Sequence, residues 1–201
     1  MKQLASLDNL IDLFSSLPQI TKKQAKNIAL YLINKDEAYI DKFFLALKNS
    51  KNKLHFCSQC NCLTEKNKCD ICCDYTRDFS KLCIVTSNDD LEKIESTESF
   101  KGLYFVLNKE LDAKKNAGFE EDVLHKLLDL ISLYKPNEII MATNWTLNGE
   151  HTASVVRKYI NDRIKYHANF FRIACGLPVN SSIDYADQFT LKYAVENKTK
   201  Y

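Results

Sequence analysis

Four cysteines, Cys57, Cys60, Cys69 and Cys72, stand as two Cys-x-x-Cys pairs with eight residues between the pairs. A pair at that spacing presents two sulfurs from one tight turn. Two such pairs supply the four thiolates of a tetrahedral shell, which leaves no position open for substrate. The ion such a shell suits is a structural Zn²⁺, one per chain. Cys62 and Cys73 lie near enough to compete as ligands, and His55 offers a nitrogen. The matched spacing favours the four named, because each pair can reuse the same turn. Cys83 and Cys175 fall in or beside strand-like runs and read as small core residues.

Two other groups of residues carry polar chemistry. The stretch Ala142-Thr-Asn144-Trp-Thr146-Leu-Asn-Gly149-Glu150 follows an apolar run and opens a helical pattern. Loops at the carboxyl ends of parallel strands are where α/β sheets bind ligands. Asn144, Thr146, Gly149 and Glu150 are therefore candidates to meet a phosphate, a metal or a neighbouring protein. The plain alternative is a strand-to-helix turn with Asn148 as cap and Glu150 in the first helical turn. The third group is Lys22, Lys23 and Lys26 at a helix start, where cations and backbone amides can hold a DNA phosphate. Lysines on solvated helix faces are common, so the bland reading stands beside that one.

The elements that must position these residues follow from periodicity. Leu4, Leu7, Leu10, Ile11 and Phe14 recur at helical spacing, and Pro18 ends that run. Thr21 is placed to cap a second helix, Lys22 to Ile33, with Ala25, Ile28, Ala29 and Leu32 inward. A third helix is expected from about Asp36 to Lys48 with Ile40, Phe43, Phe44 and Leu47 inward. Short helices joined by a tight turn suggest a helix-hairpin-helix. After the cysteine segment, strands are expected at 82–85, 103–107, 138–142 and 170–174, and helices at 89–97, 120–134, 148–165 and 187–196. Strands alternating with helices imply a parallel sheet.

Bulk composition is that of a globular chain: 201 residues, 45% hydrophobic and 27% charged. The net charge of +2 forces no polyanionic partner, so any nucleic-acid binding must come from local patches. Eight cysteines without a leader-like apolar segment point to a reducing compartment, hence the cytoplasm. No apolar run reaches the roughly 18 residues a membrane span needs.

In their order and spacing these pieces resemble the RecR family of bacterial recombination mediators along essentially the whole chain. The matching residues are Leu17-Pro18 with Lys23 and Ala25; the four cysteines; Tyr104-Phe-Val-Leu107; Ala142-Thr-Asn144 with Gly149-Glu150; and Arg172-Ile-Ala, Gly176, Pro178-Val and Tyr185-Ala-Asp187. The resemblance implies an α+β chain of several parts: a helix-hairpin-helix DNA-binding region (1–53), a four-cysteine zinc module (54–76), a Toprim α/β domain with a parallel sheet (80–175) and a C-terminal segment (176–201). It also implies DNA, double-stranded and gapped or single-stranded, as the partner of a ring-like homo-oligomer, dimer or tetramer. RecO, and RecF in some lineages, are the implied protein partners in helping load RecA. The implied location is bacterial cytoplasm, at the nucleoid.

The chain departs from the family pattern at Gln19-Ile20-Thr21, where Gly-Val-Gly is usual, and at Asn180-Ser181, where paired glycines are usual. Toprim enzymes carry a Glu at the end of the first strand and Asp-x-Asp after the third. Thr86, Asn144 and Thr146 occupy those positions here. Mg²⁺ needs hard, usually carboxylate, oxygens. The reading is therefore a binding module without catalysis; the alternative is a Mg-dependent Toprim nuclease or primase-like enzyme.

Overall fold

The computed structural model describes residues 4–115, 118–198 and 200. The chain divides into two compact units, one ending at Leu54 and the other beginning at His55.

The first unit is helical: α1 (Ala5–Ser15), α2 (Lys22–Ile33) and α3 (Glu37–Lys53). The start of α2 is set by a capping box. The Thr21 hydroxyl accepts from the Gln24 amide, and the Gln24 side chain accepts from the Thr21 amide at 2.9 Å. Asp36 caps α3 by accepting from the Tyr39 amide at 2.8 Å. The turn between α1 and α2 holds Gln19 at φ 64°, in the left-handed region. Ala25 and Ala29 of α2 are fully buried, and α2 packs on α1, their small side chains admitting close approach. The expected inward face of α3 is not inward. Phe43, Phe44 and Leu47 are exposed, Phe44 by 58%, and none of the described residues of α3 is buried. The periodicity is correct for one face, but nothing within this unit covers it. The helix also continues past Lys48 to Lys53, with Lys51 and Lys53 favourably placed in its last turn.

The second unit begins with a hairpin of β1 (His55–Phe56) and β2 (Leu63–Thr64), followed by the short helix α4 (Asp70–Cys73). Then come β3 (Asp78–Val85), α5 (Asn88–Ser96), β4 (Gly102–Val106), α6 (Glu121–Tyr134), β5 (Glu138–Ala142), α7 (Leu147–Asn161) and β6 (Asn169–Arg172). A single 3₁₀ turn at Ile183–Tyr185 precedes α8 (Gln188–Glu196). Among the described residues the larger sheet is all-parallel with order β4-β3-β5-β6. The order reverses between β3 and β5, so their carboxyl ends flank the crevice where such sheets accept ligands. All of β4 is buried, and Leu82, Ile84, Phe105, Leu127, Ile131 and Ile139 form the centre of the core.

Several boundaries differ from expectation for local reasons. β3 starts at Asp78 rather than Leu82, because Asp78 pairs with Gly102 ahead of a register irregularity. Helix α7 is capped by Thr146, not Asn148: the Thr146 hydroxyl accepts from the Gly149 amide at 3.1 Å, while the Asn148 side chain accepts from the Ala113 amide. It ends at Asn161 rather than Lys165, and β6 ends at Arg172 rather than Ala174. The hairpin and α4 have no counterpart in the expected elements, since segments of two to four residues carry no readable period.

Candidate functional site

The cysteine cluster is built by two short loops. In the first, the Cys57 amide donates to the Cys62 carbonyl at 2.7 Å and the Asn61 amide donates to the Cys57 carbonyl at 3.1 Å. Asn61 closes this turn at φ 61°, a conformation asparagine tolerates better than most residues. In the second, Cys69 caps α4, its sulfur accepting from the Cys72 amide at 3.4 Å. The Cys69 amide in turn donates to the Cys57 sulfur at 3.4 Å. Backbone N–H groups aimed at sulfur favour the thiolate form, which is the form that binds metal.

The sulfurs of Cys57, Cys60, Cys62 and Cys69 all lie within 4.8 Å of one another, and Cys60 and Cys69 are 3.5 Å apart. Cys72 is buried beside them. Cys73 is exposed, and its thiol faces the Lys68 carbonyl rather than the cluster. The Cys57 thiol is pushed far down by thiol hydrogen bonds from Cys60, Cys62, Cys69 and Cys72. Those of Cys60, Cys62 and Cys72 are pushed up, Cys57 being the largest cause for each. Four buried sulfurs this close, with amide donors on two of them, are a donor set that can hold a metal ion, and a soft one by its chemistry. Cys83 lies apart in β3, its thiol pushed up to about 12 by burial; Cys175 is half-buried.

The cluster is fastened to the sheet. The Val106 amide donates to the Cys60 carbonyl at 2.9 Å, and the Asn61 side chain donates to the Val106 carbonyl at 2.8 Å. These bonds cover the end of β4, the edge strand. Asn108 donates to the Asn61 carbonyl, Asn88 donates to the Asn108 side chain, and the Leu63 amide donates to Asn88. The metal-binding loops, the ends of β3 and β4 and the start of α5 thus share one network.

At the carboxyl end of β5, Arg172 of β6 organises the loop. Its guanidinium donates to the carbonyls of Met141, Thr143 and Asn144 and forms an ion pair with Glu150. It also lies 4.7 Å from the centre of the Trp145 ring. The Asn144 side chain donates to Glu110 at 2.7 Å. Gly149 is buried, and a Cβ there would stand 2.1 Å from the Asn144 carbonyl oxygen. This glycine is required by close approach of backbone. The structure therefore brings Asn144, Gly149 and Glu150 together and uses Thr146 as the helix cap. Sequence reasoning missed the role of Arg172 and of Trp145, against which Tyr193 and Phe189 of α8 pack at 5.2 and 6.4 Å. The signal available was an arginine ending a strand that follows an acidic helix start.

Thr86, at the end of β3, donates to Asp90 at 2.7 Å, and the same carboxylate oxygen accepts from the Ser87 amide and hydroxyl. Asp90, Glu110 and Glu150 each already accept from a protein donor. Lys22, Lys23 and Lys26 stand exposed on the first two turns of α2.

A model described as "Toprim domain" matches residues 80–169, and one described as "RecR, C-terminal" matches 176–199. The chain is 40% identical over 200 residues to the recombination protein RecR of Ureaplasma urealyticum serovar 10, covering 100% of this chain and 98% of the relative. The chain belongs to the RecR family. The RecR of Ureaplasma parvum serovar 3 is 39% identical over 200 residues, with the same coverage of both chains. That of Natranaerobius thermophilus is 34% identical over 193 residues, 96% of this chain and 95% of its own. The family assignment agrees with the α+β architecture: helices first, a parallel-sheet Toprim domain, a four-cysteine cluster and a helical C-terminal segment. No helix among the described residues is long and apolar enough to cross a membrane.

Proposed function

We propose that this chain is a DNA-binding recombination mediator of recombinational DNA repair. It acts with RecO, and with RecF where that protein is present, to help load RecA on single-stranded or gapped DNA in the bacterial cytoplasm. The observation that carries the reading is the similarity to RecR proteins across the full chain. The chain is read as non-catalytic. Supporting this, Thr86, Asn144 and Thr146 are neutral at the Toprim acidic positions, and the carboxylates of Asp90, Glu110 and Glu150 are taken up by hydrogen bonds or an ion pair.

In this reading Cys57, Cys60, Cys69 and Cys72 hold one structural Zn²⁺, which supplies cross-linking of two loops and no chemistry on substrate. Lys22, Lys23 and Lys26 neutralise DNA phosphates. The loop of Asn144, Thr146, Gly149 and Glu150, held by Arg172, presents a fixed surface to a protein partner. The working form is a homo-oligomer, dimer or tetramer, because repeating one small basic patch around a ring raises avidity. The exposed face of α3, with Phe43 and Phe44, supports an assembled state.

The decisive experiment measures binding to gapped DNA as a function of salt, with light scattering on the same sample. Lys22→Ala, Lys23→Ala and Lys26→Ala together should weaken binding. They should also flatten the salt dependence by about one unit of slope for each phosphate no longer neutralised. Unchanged affinity and slope, or a monomeric mass at working concentration, would overturn the assignment of these residues. Mg²⁺-dependent cleavage of DNA abolished by Glu150→Ala would overturn the non-catalytic reading.

A further inference from the structure

Five sulfurs converge where a four-coordinate ion needs four. Cys57, Cys60 and Cys69 form a common base: Cys62 shares thiol hydrogen bonds with all three, and so does Cys72. Cys62 and Cys72 engage this base rather than each other. They approach it from different loops, Cys62 from the residue just before β2 and Cys72 from α4. Both are buried, at 5% and 6% exposure, so neither is displaced into solvent. The matched spacing in sequence selects Cys72, whereas mutual proximity of sulfurs selects Cys62.

We propose that Cys62 and Cys72 are interchangeable fourth ligands of one metal ion, with Cys57, Cys60 and Cys69 as the permanent three. In the exchange one metal–sulfur bond forms to Cys62 as the bond to Cys72 breaks. A proton passes from the incoming thiol to the outgoing thiolate, so the charge of the four-thiolate centre is unchanged. A departing fourth ligand is replaced from within the protein before water can take its position, and the ion is retained. This rests on the reading of the cluster as a tetrahedral thiolate metal site.

The test uses Co²⁺ loaded into the full chain under reducing conditions, since its sulfur-to-metal charge-transfer band grows with the number of bound thiolates. Wild type should show one Co²⁺ with four thiolates; a chain that binds none would overturn the metal reading itself. Cys62→Ser and Cys72→Ser should each keep the four-thiolate band. The double variant should lose about one quarter of it, as expected for three thiolates of four. If Cys72→Ser alone falls to three thiolates while Cys62→Ser does not, Cys62 is a bystander and the proposal fails. The reverse outcome makes Cys62 a fixed ligand and equally overturns exchange. Should Cys72→Ser not fold, the rate of metal transfer to excess chelator from Cys62→Ala decides: several-fold faster than wild type is expected, and an unchanged rate overturns the proposal.

Discussion

The two units of this chain solve the burial problem in opposite ways. From His55 onward, the core is one continuous cluster, reaching from the cysteine loops through β3 and β4 to α6 and α7. Before that boundary, Ala25 and Ala29 are buried while Leu13, Leu17, Ile33, Phe43, Phe44 and Leu47 remain exposed. Both segments have amphipathic patterns of ordinary strength. The difference is that a sheet offers each helix a broad apolar surface inside the same unit, whereas three short helices do not enclose one another. An amphipathic face states that something must be covered, not that this unit covers it.

The largest effect expected from breaking this contrast is at the metal. Structural thiolate zinc sites have apparent binding free energies of about 10 kcal/mol or more. Cys57→Ser, or chelation under reducing conditions, should abolish stoichiometric metal and the cooperative melting of the sheet unit. The helical signal of the first unit should persist, as followed by circular dichroism. Next comes Gly149→Ala, whose Cβ meets backbone atoms of Asn144 rather than a yielding side chain. Overpacking of this kind costs about 3 kcal/mol at its upper range. The cost should appear in the thermal midpoint of the sheet unit alone.

In the first unit the effects are smaller. Gln19 adopts φ 64°, a conformation that costs an L-residue about 1–2 kcal/mol. Gln19→Gly should relieve that strain but add about 0.5–1 kcal/mol of chain entropy to the unfolded state. A net stabilisation of about 0.5 kcal/mol is expected by denaturant titration, and a destabilisation would sink the strain argument. Phe43→Ser with Phe44→Ser should change stability by no more than about 0.5 kcal/mol, as for other exposed positions. The same pair should lower the oligomer mass in light scattering.

The smallest effect lies where the sheet unit closes on its own tail. The Asp187 carboxylate accepts from the Thr190 hydroxyl and from the Thr190 and Phe189 amides, which hold its pKa below the usual value. A depressed carboxylate contributes stability above its unfolded value of about 4, and loses it as pH falls through the folded value. Emission from Trp145, the one tryptophan of the sequence, should therefore report loosening of α8 below about pH 4. Asp187→Asn, which still caps but does not titrate, should remove that component.

Much of the fold was legible beforehand, and the reasons differ by residue. Thr21 and Asp36 announced their helices because capping is local chemistry. The apolar runs ending in Val85, Val106 and Ala142 announced buried parallel strands because both faces are covered. Asn148 misled because Asn and Thr are both good caps, and a tertiary bond to Ala113 decided between them. The burial expected of Phe43, Phe44 and Leu47 failed because periodicity gives a face without its partner. Among the cysteines, spacing pointed to four, but only the folding of two loops reveals a fifth sulfur in reach. Arg172 was invisible as an organiser because the carbonyls it binds lie 31, 29 and 28 residues before it.

The sealing of β4 has a consequence for solubility. Gly102–Val106 is a short, uncharged and wholly buried segment whose terminal amide and carbonyl at Val106 are occupied by Cys60 and Asn61. If the cysteine loops open, an apolar strand edge of the kind that recruits other chains comes into view. A cell starved of metal or under thiol oxidation would then lose this protein into aggregates before losing its fold elsewhere. The two hydrogen bonds at the end of one strand act as a gatekeeper whose latch is sulfur.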